Sequence, residues 1–157
     1  MAQINAETTY ETLPLLVLRG MVSFPETVMH FDVGRLKSIA ALNEAMKKDQ
    51  RVFLVAQKDL EKDDPQPEDM YSVGVVAHIQ QILKLPHDTF RVVVEGEIRA
   101  RVAEIVQNVP YYVAVVQERP ERPVSSTLEQ EAYLRQCREM FERYAELAPK
   151  MAPDVLM

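Results

Sequence analysis

Residues Leu13 to Arg35, LPLLVLRGMVSFPETVMHFDVGR, constrain the fold more than any other stretch of the chain. An apolar run from Leu13 to Leu18 meets a polar break at Arg19-Gly20. A second apolar stretch is cut by Pro25 and resumes from Val28 to Val33, before Gly34-Arg35 opens a helical pattern. The reading is strand, turn, strand, helix. The helix is expected over Lys37 to Lys48, with Leu36, Ile39, Leu42 and Met46 on its apolar stripe and Lys47-Lys48 in its last turn, where the helix dipole favours cations.

More strands follow. Val52 to Ala56 is a short buried strand. Lys58 to Asp69 is rich in acids, holds Pro65 and Pro67, and reads as a solvated loop rather than a metal site. Val73 to Leu85 and Thr89 to Val106 are long β segments joined by a tight turn at Pro86-His87-Asp88, where Asp88 is the residue best suited to positive φ. Gly96 interrupts the second segment and implies a bulge or bend. Tyr111 to Val116 is the last strand. The expected class is α+β: a small antiparallel β-sandwich or pseudo-barrel, PUA-like, with one internal helix and a C-terminal helical appendage.

Four segments follow from this pass: a flexible N-terminus over 1–12, a β domain over 13–118, a Pro-containing linker over 119–125, and the start of a helical region over 126–157. Ser126-Thr127-Leu128-Glu129 reads as a capping box. The helix after it carries Leu128, Ala132, Cys137, Phe141, Tyr144 and Leu147 on one broad stripe. One amphipathic helix cannot bury its face alone. Leu128, Phe141, Tyr144 and Leu147 are therefore the residues expected to mediate docking or self-association.

Several motifs carry a resemblance. Pro14-Leu15-Leu16-Val17-Leu18-Arg19, Val22-Ser23-Phe24-Pro25 and Val33-Gly34-Arg35-Leu36-Lys37-Ser38 resemble the PLxPLR, xxVxFP and VGRxKS series of the N-terminal domain of Lon, the ATP-dependent protease. Val55-Ala56-Gln57-Lys58-Asp59, Val73-Gly74, Leu83-Lys84-Leu85-Pro86 and Val94-Glu95-Gly96 continue it, over about residues 13 to 118. Val17 stands where that family usually has Pro, and His87-Asp88 where it usually has a residue plus Gly. The resemblance implies a small β domain that recognises substrates and helps assembly, without catalysis of its own. It implies unfolded or damaged protein substrates as partners and a hexamer for the full-length family; a weak oligomer of this fragment is expected from the apolar stripe of the C-terminal helix. ATP and magnesium would belong to an ATPase domain, and catalysis to a Ser–Lys pair; neither motif is in this sequence.

The residue inventory agrees with a binding role. There is no GxxxxGK[ST] or GxGxxG motif among only four glycines, so no cofactor site is expected. His30, His78 and His87 lack partners at metal-ligand spacing, so neither a metal nor a catalytic site is expected. His30 and His78 are expected on strand faces, partly buried, and Cys137 as a small core residue. A single cysteine fits a reducing compartment, and the N-terminal sequence resembles neither a secretory nor a transit peptide. A bacterial cytoplasmic protein with no membrane partner is the simplest reading. The net charge of −6 argues against nucleic acid, whose binders usually show a basic face. The one basic cluster, Arg91 to Arg101, is interrupted by Glu95 and Glu97. The rival readings are a stand-alone PUA-like nucleic-acid binder and a small hydrolase.

The candidate substrate-binding residues are apolar and near turns: Met21, Val22, Phe24, Pro25 and Met29, with Leu85 and Pro86 at the hairpin tip and Arg35 and Lys37 as rim charges. Two readings of the apolar set stand side by side. They cover the open end of a barrel as ordinary core, or they form an exposed patch that touches unfolded segments.

Overall fold

The structure is a computed structural model that describes residues 9–120 and 127–148. It divides into two units, Met1–Glu121 and Arg122–Met157. In the first, the order is β1 (Tyr10–Leu18), β2 (Val28–Val33), α1 (Leu36–Met46), β3 (Arg51–Ala56), a 3-10 turn (Pro67–Asp69), β4 (Val73–Lys84), β5 (Phe90–Gln107) and β6 (Val113–Glu118). β1 begins at Tyr10, inside the segment expected to be loose, because Tyr10 to Pro14 pair with β6.

All six strands form one sheet in the order β2-β5-β4-β3-β1-β6, and β5 also pairs with β6. Five strands therefore close into a ring. The 18-residue β5 makes this possible. One of its edges is taken by β4; on the other, Phe90 to Glu95 pair with β2 and Ala100 to Gln107 pair with β6. At Gly96 the register against β4 shifts: Val76 faces Ile98 while Ala77 faces Gly96, leaving Glu97 as the extra residue. This is the bulge that the glycine implied, and it bends β5 between its two partners. The expected β domain with an internal helix is present, with one difference. β1 and β3 run parallel, Leu15 opposite Phe53 and Leu18 opposite Ala56. The chain leaves β1, makes β2 on a distant edge, crosses back through α1 and so returns in the starting direction. The sheet is mixed.

Two clusters make the core. Leu13, Leu15, Phe53, Val55, Val76, Ala100, Ala114 and Val116 come from all five strands of the ring and, with Met70 and Tyr112, fill its interior. Leu16, Leu18, Phe31, Val33, Val52, Leu54, Ala77, Ile79, Val92 and Val94 form the other cluster, which includes Ala41, Leu42 and Ala45 of α1. β3 is buried on both faces, which is why Val52-Phe53-Leu54-Val55 reads as an unbroken apolar run. Half of the expected stripe faces the core: Leu42 is buried and Ile39 packs against the cluster. Ala41, Leu42 and Ala45 face inward, whereas Leu36 is 86% exposed and Met46 is exposed. The small side chains let α1 lie close on the sheet, and a stripe chosen by size alone misses them. Lys47 caps the helix and Lys48 lies beyond it; both pair with Glu44.

The β4–β5 turn puts both His87 and Asp88 at positive φ, 61° and 54°. Two consecutive left-handed residues match the right-handed twist of the flanking strands. His30 is exposed, not partly buried, because it alternates with the inward Phe31.

The second unit contains α2 (Leu128–Leu147). Thr127 is its N-cap and Gln130 completes the capping box, one residue later than expected; Ser126 lies outside the described residues. Leu128 is 90% exposed and Leu147 83%; Phe141 and Tyr144 are exposed too. Cys137 is an exposed free thiol, not a core residue. Among the described residues no helix is long and apolar enough to cross a membrane.

Candidate functional site

The β1–β2 loop, residues 19–27, is held by backbone contacts. Gly20 turns it with φ at 70° and Glu26 with φ at 58°. Thr27 Oγ1 donates to the Phe24 carbonyl at 2.6 Å. The Glu26 amide donates to the Gly96 carbonyl at 2.8 Å, and the Gly96 amide to the Thr27 carbonyl at 2.9 Å. A Cβ on Gly96 would lie 2.1 Å from the Phe24 carbonyl oxygen, so only glycine admits the loop. The bulge glycine therefore seats the loop as well as bending the strand.

With its backbone fixed, the loop sorts the candidate side chains. Met21 is half-buried and packs on the core, as does Met29 in β2; Pro25 is half-buried. Val22 is 60% and Phe24 55% exposed. Val22 borders a groove of about 300 Å³ with Ser23, Leu54, Ala56, Tyr71, Ser72, Val73 and Gly74. Tyr71 and Val73 are exposed large side chains on its rim. Their sequence setting, just after an acidic loop and at the start of a strand, gives no sign of this. Ser23 points inward, and its buried Oγ has no hydrogen-bond partner among the described residues. The apolar set thus divides between core and surface. Leu85 is half-buried and Pro86 exposed at the β4–β5 turn, and neither lines this groove.

Arg35 and Lys37 work on a different structure, the acidic loop 58–69. Arg35 donates to Gln57 Oε1 at 2.8 Å and to the Lys62 carbonyl at 3.3 Å. Lys37 Nζ lies 2.9 Å from Asp64 Oδ1, 3.2 Å from the Tyr112 hydroxyl and 4.8 Å from the centre of that ring. Arg19 donates to Asp63 Oδ1 at 2.7 Å and to the Lys62 carbonyl at 2.8 Å. Lys62 in turn pairs with Asp69. The loop is tethered by these cations, with its charge paired on one side. Hydrogen bonds from Arg19, Lys37 and Lys62 hold Asp63, Asp64 and Asp69 below their ordinary range. Burial, and next the neighbouring Arg19, lower the Arg35 guanidinium. No group of His, Cys, Asp and Glu with metal-holding geometry occurs among the described residues.

Two adjoining grooves, of about 360 and 350 Å³, run beside these cations. The first is lined by Leu16, Leu18, Met21, Phe31 and Val33 among others, and the second by Leu15, Leu36, Pro65 and Tyr112. Val17, Arg35 and Ser38 line both. At one end of the basic cluster of β5, Arg91 forms a two-pronged pair with Asp32, at 2.8 and 2.9 Å.

This arrangement has known relatives. A family model described as the ATP-dependent protease La (LON) substrate-binding domain matches residues 12–157. The Lon protease of Syntrophomonas wolfei subsp. wolfei is 44% identical over 149 residues, covering 95% of this chain and 18% of that protein. The chain thus spans about a fifth of the length of such curated relatives. Among solved structures, the N-terminal domain of a Mycobacterium avium complex Lon protease superposes with a TM-score of 0.63 at 18% identity, over 87% of this chain and 71% of that one. A Lon N-terminal domain protein from Xanthomonas campestris gives 0.62 at 15% identity, over 87% and 75%. The fold is shared with both, and by the family match over residues 12–157 the chain belongs to the Lon substrate-binding domain family.

Proposed function

We propose that this chain is the non-catalytic receiving module of a Lon-type ATP-dependent serine protease in a bacterial cytoplasm. It takes hold of damaged, misfolded and short-lived regulatory proteins and helps pass them to ATPase and peptidase parts whose motifs its sequence lacks. The observation that carries this reading is the exposed pair Val22 and Phe24 on a loop whose backbone is locked to Gly96. A folded protein presents such side chains on a rigid loop at a cost in hydration, and a patch of this kind marks an interaction site. Tyr71 and Val73 extend the apolar surface on the Val22 side, along the groove they share with it. Burying each large side chain against a partner contributes roughly 1.5–3 kcal/mol. That is enough for weak, sequence-tolerant contact with apolar segments that folded proteins hide.

Catalysis has no place in this module. ATP and magnesium would be handled elsewhere in the longer protein, and hexamer formation is likewise a property of the whole. Nuclear magnetic resonance titration with a reduced, alkylated protein that cannot fold tests the assignment. Amide shifts should cluster at residues 22–24 and 71–74. Shifts confined to the Arg91–Arg101 face would contradict it.

A further inference from the structure

The two grooves that meet at Val17 follow the edge of β1, and that edge is open. The Leu15 amide donates to the Tyr112 carbonyl at 2.8 Å, on the β6 side, whereas the Leu18 carbonyl accepts from the Gln57 amide at 3.0 Å, on the β3 side. Backbone groups alternate direction along a strand, so Val17 points its N–H and C=O away from β3. The β6 ladder has ended by then, with Pro14 opposite Val113. No partner for the Val17 backbone occurs among the described residues. Val17 is half-buried at the junction of both grooves. An unpaired peptide group beside an apolar trough is a template for an added strand.

Charge narrows the occupant. Arg19 is paired with Asp63 and Lys37 with Asp64. Asp32 is paired with Arg91. Arg35, which also lines both grooves, has only neutral partners, the Gln57 amide oxygen and the Lys62 carbonyl, and no carboxylate within salt-bridge distance among the described residues. Asp63 and Asp64 act on Arg35 from beyond contact, so the half-buried guanidinium along the trough still lacks a directly bonded carboxylate, the group its planar fork is suited to.

The geometry points to a second recognition element: an extended polypeptide segment adds to the open edge of β1 at Val17 and presents an acidic side chain to Arg35. This rests on the reading of the domain as a receiver of polypeptide, but uses a surface separate from Val22 and Phe24. Main-chain bonds give affinity without regard to sequence, and the carboxylate gives selectivity. The two surfaces read different properties of a substrate, apolar content at one and extended acidic character at the other.

The test uses the full chain and a short labelled peptide that alternates valine and threonine around one central glutamate. Anisotropy should show binding that weakens about tenfold when the glutamate becomes glutamine, as expected for loss of a charge-assisted hydrogen bond. Arg35→Gln should erase that difference between the two peptides. Val17→Pro removes the edge N–H and should weaken both peptides together. Peptide should slow amide exchange at Val17 and leave Leu16 and Leu18 unchanged. Val22→Ser/Phe24→Ser should not alter the glutamate preference, so failure of the patch and failure of this edge are separable. Equal binding of glutamate, glutamine and lysine peptides would overturn the proposal. So would an unchanged Val17 amide. Val17 protection that rises with protein concentration in the absence of peptide would assign the edge to a second copy of the chain and overturn it as well.

Discussion

The carbonyl oxygen of Phe24 occupies the space that a side chain on Gly96 would need: a Cβ there would lie 2.1 Å from it. One residue of a β-bulge thereby sets the height and direction of the loop that carries the exposed pair Val22 and Phe24. Gly96→Ala should move the loop off β5, break the Glu26–Gly96 and Gly96–Thr27 hydrogen bonds and cost about 1–3 kcal/mol as overpacking. A thermal melt reads the loss, and binding to unfolded protein should fall with it. A variant that keeps wild-type stability would show that the loop seat is soft.

Phe24 and Phe53 provide a contrast within one chain. Phe53 is fully buried in the ring interior, and its truncation to alanine should cost about 3–5 kcal/mol. Phe24→Ser removes a side chain that is 55% exposed and should stay within about 0.5–1 kcal/mol, as surface substitutions do. Denaturant melts of the two variants check this. Met21 belongs with Phe53 rather than Phe24, since it packs on the core, and Met21→Ser should destabilise the domain.

The tether on the acidic loop gives a pH signature. Asp63 and Asp64 are lowered from the ordinary 3.8 by hydrogen bonds from Arg19 and Lys37. A lowered acid contributes stability above its unfolded value and loses it as pH falls through the folded one. The tether should therefore hold at neutral pH and release below 3.8. Lys37 is raised above 10.5, chiefly by its bond to Asp64, so its contribution is complete below 10.5 and is lost as pH climbs past the folded value. Glu11 runs the other way: burial raises it above 4.5, so its contribution is present in acid and lost as pH rises through the folded value. Carboxyl titration by nuclear magnetic resonance should show Asp63 moving up in Arg19→Gln while Asp64 stays in place. Joint movement of both would mean that the loop releases as a unit.

Helix α2 should find a partner. Leu128, Phe141, Tyr144 and Leu147 are all exposed, together with Leu134 and Met140. Water contact over such a face is unfavourable, and one amphipathic helix cannot bury its face by itself. We expect weak, concentration-dependent association in sedimentation experiments, abolished by Phe141→Ser/Leu147→Ser. A wild-type chain that stays monomeric at high concentration would rule out this role.

Much of the architecture was legible because it rests on local signals. Alternation and turn residues located every strand, and Gly96 announced its own bulge. The parallel β1–β3 pair was not legible, because it depends on where β2 docks. The α1 stripe was right at Ile39 and Leu42 and wrong at its ends, because alanines at 41 and 45, not the larger Leu36 and Met46, face the core. At the candidate site the sequence singled out the loop but could not divide it. Met21 and Val22 are equally apolar neighbours, and only the loop's fixed path turns one in and the other out. Tyr71 and Val73 escaped notice, since nothing local ties them to a loop some fifty residues earlier. Arg35 and Lys37 read as rim charges of the binding surface, yet their partners lie across the chain at Gln57 and Asp64.

The decisive measurement is the affinity of the intact chain for a reduced, alkylated protein, compared between wild type and Val22→Ser/Phe24→Ser. The double variant should melt within a few degrees of wild type, as expected for surface changes of about 1 kcal/mol in a domain of this size. Its affinity should fall at least tenfold, the loss of roughly half the burial that one large apolar side chain provides. Unchanged affinity in a fully folded variant would contradict the assignment of this loop as the receiving surface.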